Sequence, residues 1–249
     1  PGSSEVGQGD WYSTFLFTDW ALKLVDDAKA RNQPFFLYFA HGAPHFPLKA
    51  PQEVVAKYRG KYKAGWDVLR EARHKRQIEL GMVGPSWPLA ARPADVPAWD
   101  SLSPEDQDRF DNIMAVYAAM IDCIDQSVGR MVAGLRERGL LDNTLILFLS
   151  DNGGNAESGP RGITEGEPLG GPQSRVFLGM GWATLANTPF RRYKHFTHEG
   201  GISTPLIAHW PAAIPAARNG QLERQPGHLV DLMATACDVS GALYPAEFN

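Results

Sequence analysis

Thr144-Leu145-Ile146-Leu147-Phe148-Leu149-Ser150-Asp151-Asn152-Gly153-Gly154 is an apolar run that begins after the turn residues Asp142 and Asn143 and stops at a polar, glycine-rich bend. A run of this length between turn residues reads as a short buried strand. Its C-terminal end carries Asp151 and Asn152, a carboxylate and a carboxamide side by side, on a loop that two glycines allow to turn sharply. Oxygen donors of this kind suit a hard cation, Ca²⁺ or Mg²⁺, rather than zinc or copper. The same two residues equally suit a strand-end turn in which they satisfy their own backbone. By themselves they leave both readings open.

Working outward, the segment before this strand has helical period. Ser103-Pro-Glu-Asp is a capping pattern, and the helix it opens carries Phe110, Ile113, Met114, Tyr117, Met120, Ile121, Ile124, Val128, Met131, Val132 and Leu135 on one stripe. Asp122 and Asp125 lie near that stripe and read as carboxylates that anchor a neighbouring loop. Upstream, Trp11–Arg31 reads as an amphipathic helix with Phe17, Trp20, Ala21, Leu24, Val25 and Ala28 toward the core. Phe35–Ala40 then reads as a buried strand that runs into His41-Gly-Ala-Pro-His-Phe-Pro-Leu-Lys-Ala-Pro51, where three prolines in eight residues stiffen the loop around His45. Gln52–Met82 is a charged helical region and Met82–Ser101 a proline-rich loop.

Strand, helix and strand in that order predict a βαβ crossover, with Phe35–Ala40 and Thr144–Leu149 parallel in one sheet. Parallel strands end on a common edge, where open α/β sheets bind ligands. His45 and the Asp151-Asn152 pair are thereby expected to face one pocket. Asn155–Phe190 shows little periodicity and reads as a long functional loop. In the following loop, Arg191, Arg192, Lys194, His195 and His198 crowd into eight residues ahead of Glu199-Gly200-Gly201. The glycine pair predicts a bend that aims at least one of these groups. Leu206–Trp210 reads as a third strand, His228–Val239 as a closing helix stopped by Gly241, and Leu243–Asn249 as a tail with no strand partner.

Composition narrows the class. With 24 basic and 28 acidic residues among 249, the net charge of −4 gives no basic footprint for nucleic acid or an anionic membrane surface. The longest apolar runs are strand-sized, so no transmembrane span is predicted, and Pro1–Asp10 lacks the pattern of a signal peptide. Cys123 and Cys237 fall in apolar helical patterns without metal-site spacing, and read as small buried hydrophobes. The 25 glycines and 19 prolines cluster in a few segments, as expected for ordered loops around a regular sheet.

Four motifs, in order, carry a family resemblance. Pro34-Phe-Phe-Leu-Tyr-Phe-Ala with Ala43-Pro-His-Phe-Pro-Leu-Lys-Ala-Pro, Lys57-Tyr-Arg-Gly-Lys-Tyr, Ser150-Asp-Asn-Gly-Gly, and Lys194-His-Phe-Thr-His-Glu-Gly-Gly-Ile-Ser-Thr-Pro together resemble the arylsulfatases of the sulfatase and alkaline phosphatase-like superfamily. The similarity runs from about Trp11 to the helix near Val239. It implies an α/β fold, an alkaline phosphatase-like sandwich with a central, mostly parallel sheet flanked by helices, and Ca²⁺ at the sheet's C-terminal edge. By the same resemblance Asp151 and Asn152 match the second half of the metal site, His45 the active-site histidine, and Lys194 the late active-site lysine. The implied substrate is a small sulfate ester, and the implied location periplasmic or secreted.

The departures from the pattern are equally specific. The family's nucleophile is a formylglycine made from a cysteine or serine in Cys/Ser-x-Pro/Ala-x-Arg. Neither Cys123-Ile-Asp-Gln-Ser nor Cys237-Asp-Val-Ser-Gly fits; Ser158-Gly-Pro-Arg-Gly has its arginine one place early, and Ser86-Trp-Pro-Leu-Ala has none. The paired aspartates of the first strand and a Gly-Lys-Trp-His-type segment are also missing; in family members all three precede the position of Trp11. Residues 1–249 are therefore expected to form a partial sulfatase catalytic domain, with nucleophile segment and C-terminal subdomain elsewhere. The chain alone is expected to be inactive, and the parent to need a formylglycine-generating enzyme. A phosphonate or phosphate ester hydrolase of the superfamily and a non-catalytic Ca²⁺-binding relative are the alternative readings.

Overall fold

A computed structural model describes residues 11–243. In chain order it contains α1 (Ser13–Ala30), α2 (Gln52–Ala56), α3 (Gly65–Glu79), α4 (Pro104–Glu137), β1 (Ile146–Leu149), β2 (Ile163–Glu165), β3 (Arg175–Phe177), α5 (Met180–Ala186), α6 (Glu199–Ile202), β4 (Leu206–His209) and α7 (Val230–Ser240). The tail beyond Leu243 lies outside the described residues.

α4 is the spine. The Ser103 hydroxyl accepts from the Asp106 N–H at 3.1 Å, Pro104 occupies the first turn, and Phe110, Ile113, Met114, Met120, Cys123, Ile124, Met131 and Leu135 are buried along one stripe. Pro104 is tolerated there because the first helical N–H groups have no intrahelical acceptor. At the other end Gly139 takes φ +69° and turns the chain toward β1. Asp122 behaves as expected of an anchor: it accepts from the Tyr58 hydroxyl at 3.0 Å and from Gln126 at 2.7 Å.

α1 lies against α4, although its buried stripe is Thr14, Thr18, Ala21 and Val25, and Leu24 is 59 % exposed. The stripe is rotated because the Thr18 and Ser127 hydroxyls meet at 2.6 Å, satisfying two polar groups that the crossing buries. The charged region after Pro51 is not one helix: α2 ends at Ala56, and a turn spanning 57–64 precedes α3. That turn is held by Asp111, whose carboxylate is fully buried and receives the Arg59 guanidinium, the Gly60 N–H at 2.8 Å and the Tyr62 N–H at 2.9 Å.

The main core lies between α3, α4 and α5. Trp66, Trp99 and Trp182 meet edge-on or tilted with centroids 4.9–5.5 Å apart, and each indole N–H reaches a carbonyl, those of Pro97, Lys63 and Phe110 respectively. Rings so buried contribute about 1.5–3 kcal/mol each, with their indole N–H groups satisfied. Gly181 admits the ring of Trp66 to the α5 backbone, since a Cβ there would lie 2.6 Å from it.

Three sequence expectations are corrected here. Phe35–Ala40 is extended and keeps a strand's period, with Phe35, Leu37 and Phe39 half-buried, but it joins no ladder among the described residues. Its hold is apolar: Phe35 packs against the cluster of Val25, Leu135 and Leu141, while Phe36 and Tyr38 are 80 % and 84 % exposed. The predicted parallel pairing with Thr144–Leu149 is accordingly not formed among these residues; β1 pairs antiparallel with β4, Ile146 opposite His209 and Leu149 opposite Leu206. Asn155–Phe190 is not one long loop either. It folds as the antiparallel hairpin β2–β3 followed by α5, and it buries Val176, Phe177, Leu178, Trp182, Ala183 and Leu185.

Candidate active site

His45 is mounted on the β2–β3 hairpin. The Leu48 N–H donates to Val176 O at 2.8 Å, the Ala50 N–H to Gly170 O at 3.0 Å, and Phe46 lies against Phe177 with centroids 4.3 Å apart. His45 Nδ1 lies 2.8 Å from the Phe46 carbonyl oxygen, a contact that only an N–H can satisfy. Nε2 then carries the lone pair, and it faces Lys194 Nζ at 3.1 Å. The ammonium donates to the imidazole. Two residues 149 apart in sequence meet through this contact.

Asp151 and Asn152 occupy the bend after β1, and that bend is sewn to the Lys194 loop. The Lys194 N–H donates to Gly154 O at 3.1 Å, the Gly153 N–H to Gly201 O at 3.0 Å, and the Thr204 hydroxyl to Ser150 O at 2.7 Å. Glycine is obligatory at 153 because a Cβ would lie 1.8 Å from Gly200 O; the two loops touch backbone to backbone. The structure thus brings His45 and Lys194 into contact and places the Asp151-Asn152 bend against the backbone of Lys194. The route differs from the expected one: hairpin and loop contacts assemble the site, in place of two parallel strand ends.

Glu157, which the sequence did not single out, completes the cluster. Its carboxylate accepts from His195 and sits 3.8 Å from Lys194 Nζ. The His195 hydrogen bond, followed by the Lys194 charge, holds the Glu157 carboxyl below the usual carboxylate range. Arg192 and His195, on either side of Lys194, adopt φ of +69° and +76°, a region that costs non-glycine residues and that surrounding contacts must enforce. Arg191 donates to His198 Nε2 at 2.7 Å.

Two more elements fix the Lys194 loop from behind. Buried Arg70 on α3 donates to Phe190 O at 3.4 Å and to Ala90 O, and Gln77 donates to Thr188 O at 3.0 Å. The Tyr193 hydroxyl lies 2.7 Å from that of Thr184, and burial raises the phenol's pKa. Both cysteines are free; burial pushes the Cys123 thiol up to about 11, away from the thiolate form.

The donor chemistry of Asp151 and Asn152 fits a hard cation as part of a ligand set. A Ca²⁺ ion takes six to eight oxygens, roughly, and these residues offer a carboxylate and a carboxamide oxygen. Among the described residues no group of three or more His, Cys, Asp or Glu side chains converges as a metal site. No helix among them is long and apolar enough to cross a membrane.

Comparison with known proteins gives the chain a family. The sulfatase family profile matches residues 4–242, and the chain belongs to the sulfatase family. It is 38% identical to an uncharacterised sulfatase of Schizosaccharomyces pombe, over 96% of this chain and 45% of that protein. It is 31% identical to the arylsulfatase of Klebsiella aerogenes, over 86% of this chain and 48% of that protein, and 28% identical to mouse N-acetylgalactosamine-6-sulfatase, over 96% and 31%. Among solved structures, Ps i-CgsB in complex with k-i-k-neocarrahexaose superposes with a TM-score of 0.57 at 26% identity, over 96% of this chain and 36% of that one. The fold is accordingly the alkaline phosphatase-like α/β fold of sulfatases, of which these residues form an incomplete part. The chain spans about half the length, or less, of the curated relatives it matches.

Proposed function

We propose that these residues form the downstream half of an arylsulfatase-type active site, which hydrolyses small sulfate monoesters. The observation that carries this reading is the 3.1 Å contact between Lys194 Nζ and His45 Nε2, beside the oxygen-rich bend of Asp151 and Asn152. A sulfate ester presents charged non-bridging oxygens and a bridging oxygen that gains charge as its bond to sulfur breaks. Lys194 has three protons: one is given to His45, and the others are available to a sulfate oxygen or to the departing alkoxide. His45, with Nδ1–H tied to the Phe46 carbonyl, keeps Nε2 in place for proton exchange with the ammonium or the leaving group. Glu157 tethers His195 and keeps a counter-charge near Lys194.

Asp151 and Asn152 would hold Ca²⁺, with Mg²⁺ as the alternative occupant. When bound, the cation supplies charge to neutralise sulfate oxygens. The nucleophile belongs to a formylglycine outside these residues, installed by a maturation enzyme, so the 249-residue chain alone is expected to release no sulfate.

Two linked experiments test this. The gene upstream of the codon for Pro1 should encode a paired-aspartate strand followed by Cys/Ser-x-Pro/Ala-x-Arg, and the protein from the complete gene should turn over an aryl sulfate faster than the matched aryl phosphate. Preference for the phosphate would move the assignment to a phosphoester hydrolase. An upstream region without the nucleophile motif, together with no turnover of either ester, would leave a non-catalytic relative.

A further inference from the structure

Asn187 terminates α5 and is almost fully buried, and its carboxamide faces both loops of the candidate site. Its Oδ1 accepts from the Gly154 N–H at 2.8 Å, and its Nδ2 donates to the Arg192 carbonyl at 3.1 Å. Two residues past Arg192, the Lys194 N–H donates back to Gly154 O at 3.1 Å. The hydrogen bonds therefore close a ring: Gly154 N–H to Asn187, Asn187 to Arg192 O, along the backbone to Lys194, and Lys194 N–H to Gly154 O. We propose that Asn187 is a positioning residue, whose carboxamide sets the Lys194 ammonium at a fixed place relative to the Asp151-Asn152 bend. The proposal rests on the functional reading above for the roles of those three residues; the clamp itself rests on the ring.

The chemistry of the clamp selects an amide. One arm must accept from an N–H and the other must donate to a carbonyl, and the carboxamide that does both is nearly fully buried. A carboxylate could accept from Gly154 but would place a second acceptor against Arg192 O. A leucine of similar shape would leave one N–H and one C=O unpaired. Asn187 is itself held at both backbone groups, its N–H donating to Ala183 O at 3.1 Å and its carbonyl accepting from the Phe190 N–H at 2.8 Å. The amide is presented from a fixed base. Arg192, whose carbonyl it holds, sits at φ +69°, the strained conformation that begins the swing of Lys194 toward His45.

The test compares Asn187→Leu and Asn187→Asp in the protein expressed from its complete gene, with Val25→Ala, in the separate cluster under α1, as the control for lost stability. Aryl sulfate kinetics are read beside hydrogen exchange in the 150–156 segment, which needs no activity. Asn187→Leu is expected to lower kcat about 100-fold with KM changed less than about threefold, and to speed exchange at Gly154. Asn187→Asp should be equally impaired at about pH 8. At about pH 5 its protonated carboxyl again offers one acceptor and one donor, and its kcat should recover at least about tenfold relative to the unsubstituted protein at the same pH. Val25→Ala should lower the Tm and change neither readout. Unchanged exchange at Gly154 in Asn187→Leu, or an Asn187→Asp defect that is the same at every pH, overturns the proposal. If exchange responds as expected in a protein that hydrolyses no aryl sulfate, the clamp stands and the functional reading fails.

Discussion

Gly153→Ala is the smallest change that should disable the site. The added Cβ would lie 1.8 Å from Gly200 O and 2.8 Å from Gly200 C, and a real Cβ essentially never comes within 3.0 Å of such an atom. Neither obstacle is a flexible side-chain tip. Gly200 cannot retreat freely, since a Cβ on it would already lie 2.1 Å from Arg192 O and its N–H is bonded to Arg191 O at 3.1 Å. The two loops must therefore part by more than an ångström, which strains the Gly153–Gly201 and Lys194–Gly154 hydrogen bonds together. Overpacking of this kind costs about 1–3 kcal/mol, and a 1 Å misplacement of a reacting group costs about 100-fold in rate. At roughly 2–4 °C per kcal/mol for a chain of this size, a Tm loss of about 2–12 °C should accompany the loss of turnover. The assay is aryl sulfate turnover by the protein from its complete gene at a temperature well below the variant's Tm. Turnover within about threefold of the unsubstituted protein would refute the backbone-to-backbone contact as the basis of the site.

Two further outcomes follow from other contacts. Asp111→Ala should destabilise by about 3–5 kcal/mol in denaturant unfolding, because two backbone N–H groups of the 57–64 turn lose a buried acceptor along with the Arg59 pairing; a loss below about 1 kcal/mol would show that the turn holds without it. The Glu157 carboxyl, held below its ordinary value first by His195, stabilises the loop fully above the unfolded carboxylate pKa near 4.5 and loses that contribution as pH falls through its lower folded value. His195→Ala should raise the Glu157 pKa in a carboxylate NMR titration, and an unmoved titration would remove His195 as the cause.

The sequence made plain those parts of the fold whose signals are local. Ser103 and Pro104 announce α4, the apolar stripe from Phe110 to Leu135 gives its buried face except at Ile121, which is exposed, and the Asp151-to-Gly154 bend ends β1 where the apolar run stops. It concealed β2, β3 and α5, because strands of three residues and a helix of seven are too short to display a period. Phe35–Ala40 misled for the opposite reason: unbroken apolar character reads as burial on both faces, yet only Phe35, Leu37 and Phe39 are half-buried, and no backbone partner is present among the described residues. At the site, His45, Lys194, Asp151 and Asn152 stood out through motif and resemblance. Glu157 and Asn187 did not, since their importance lies in contacts with residues 38 and 33 positions away that no neighbouring residue signals.

The most direct test of the central claim is sulfate release from an aryl sulfate by the protein from its complete gene, compared with its Lys194→Ala variant at matched Tm. Removing a preorganised charged donor of this kind should cost about 100- to 1,000-fold in kcat. That loss, with the fold intact, is the result predicted for an ammonium that meets the sulfate or the departing oxygen. Sulfate release that persists within about threefold in Lys194→Ala, or a complete absence of release from the unsubstituted protein, would contradict the account.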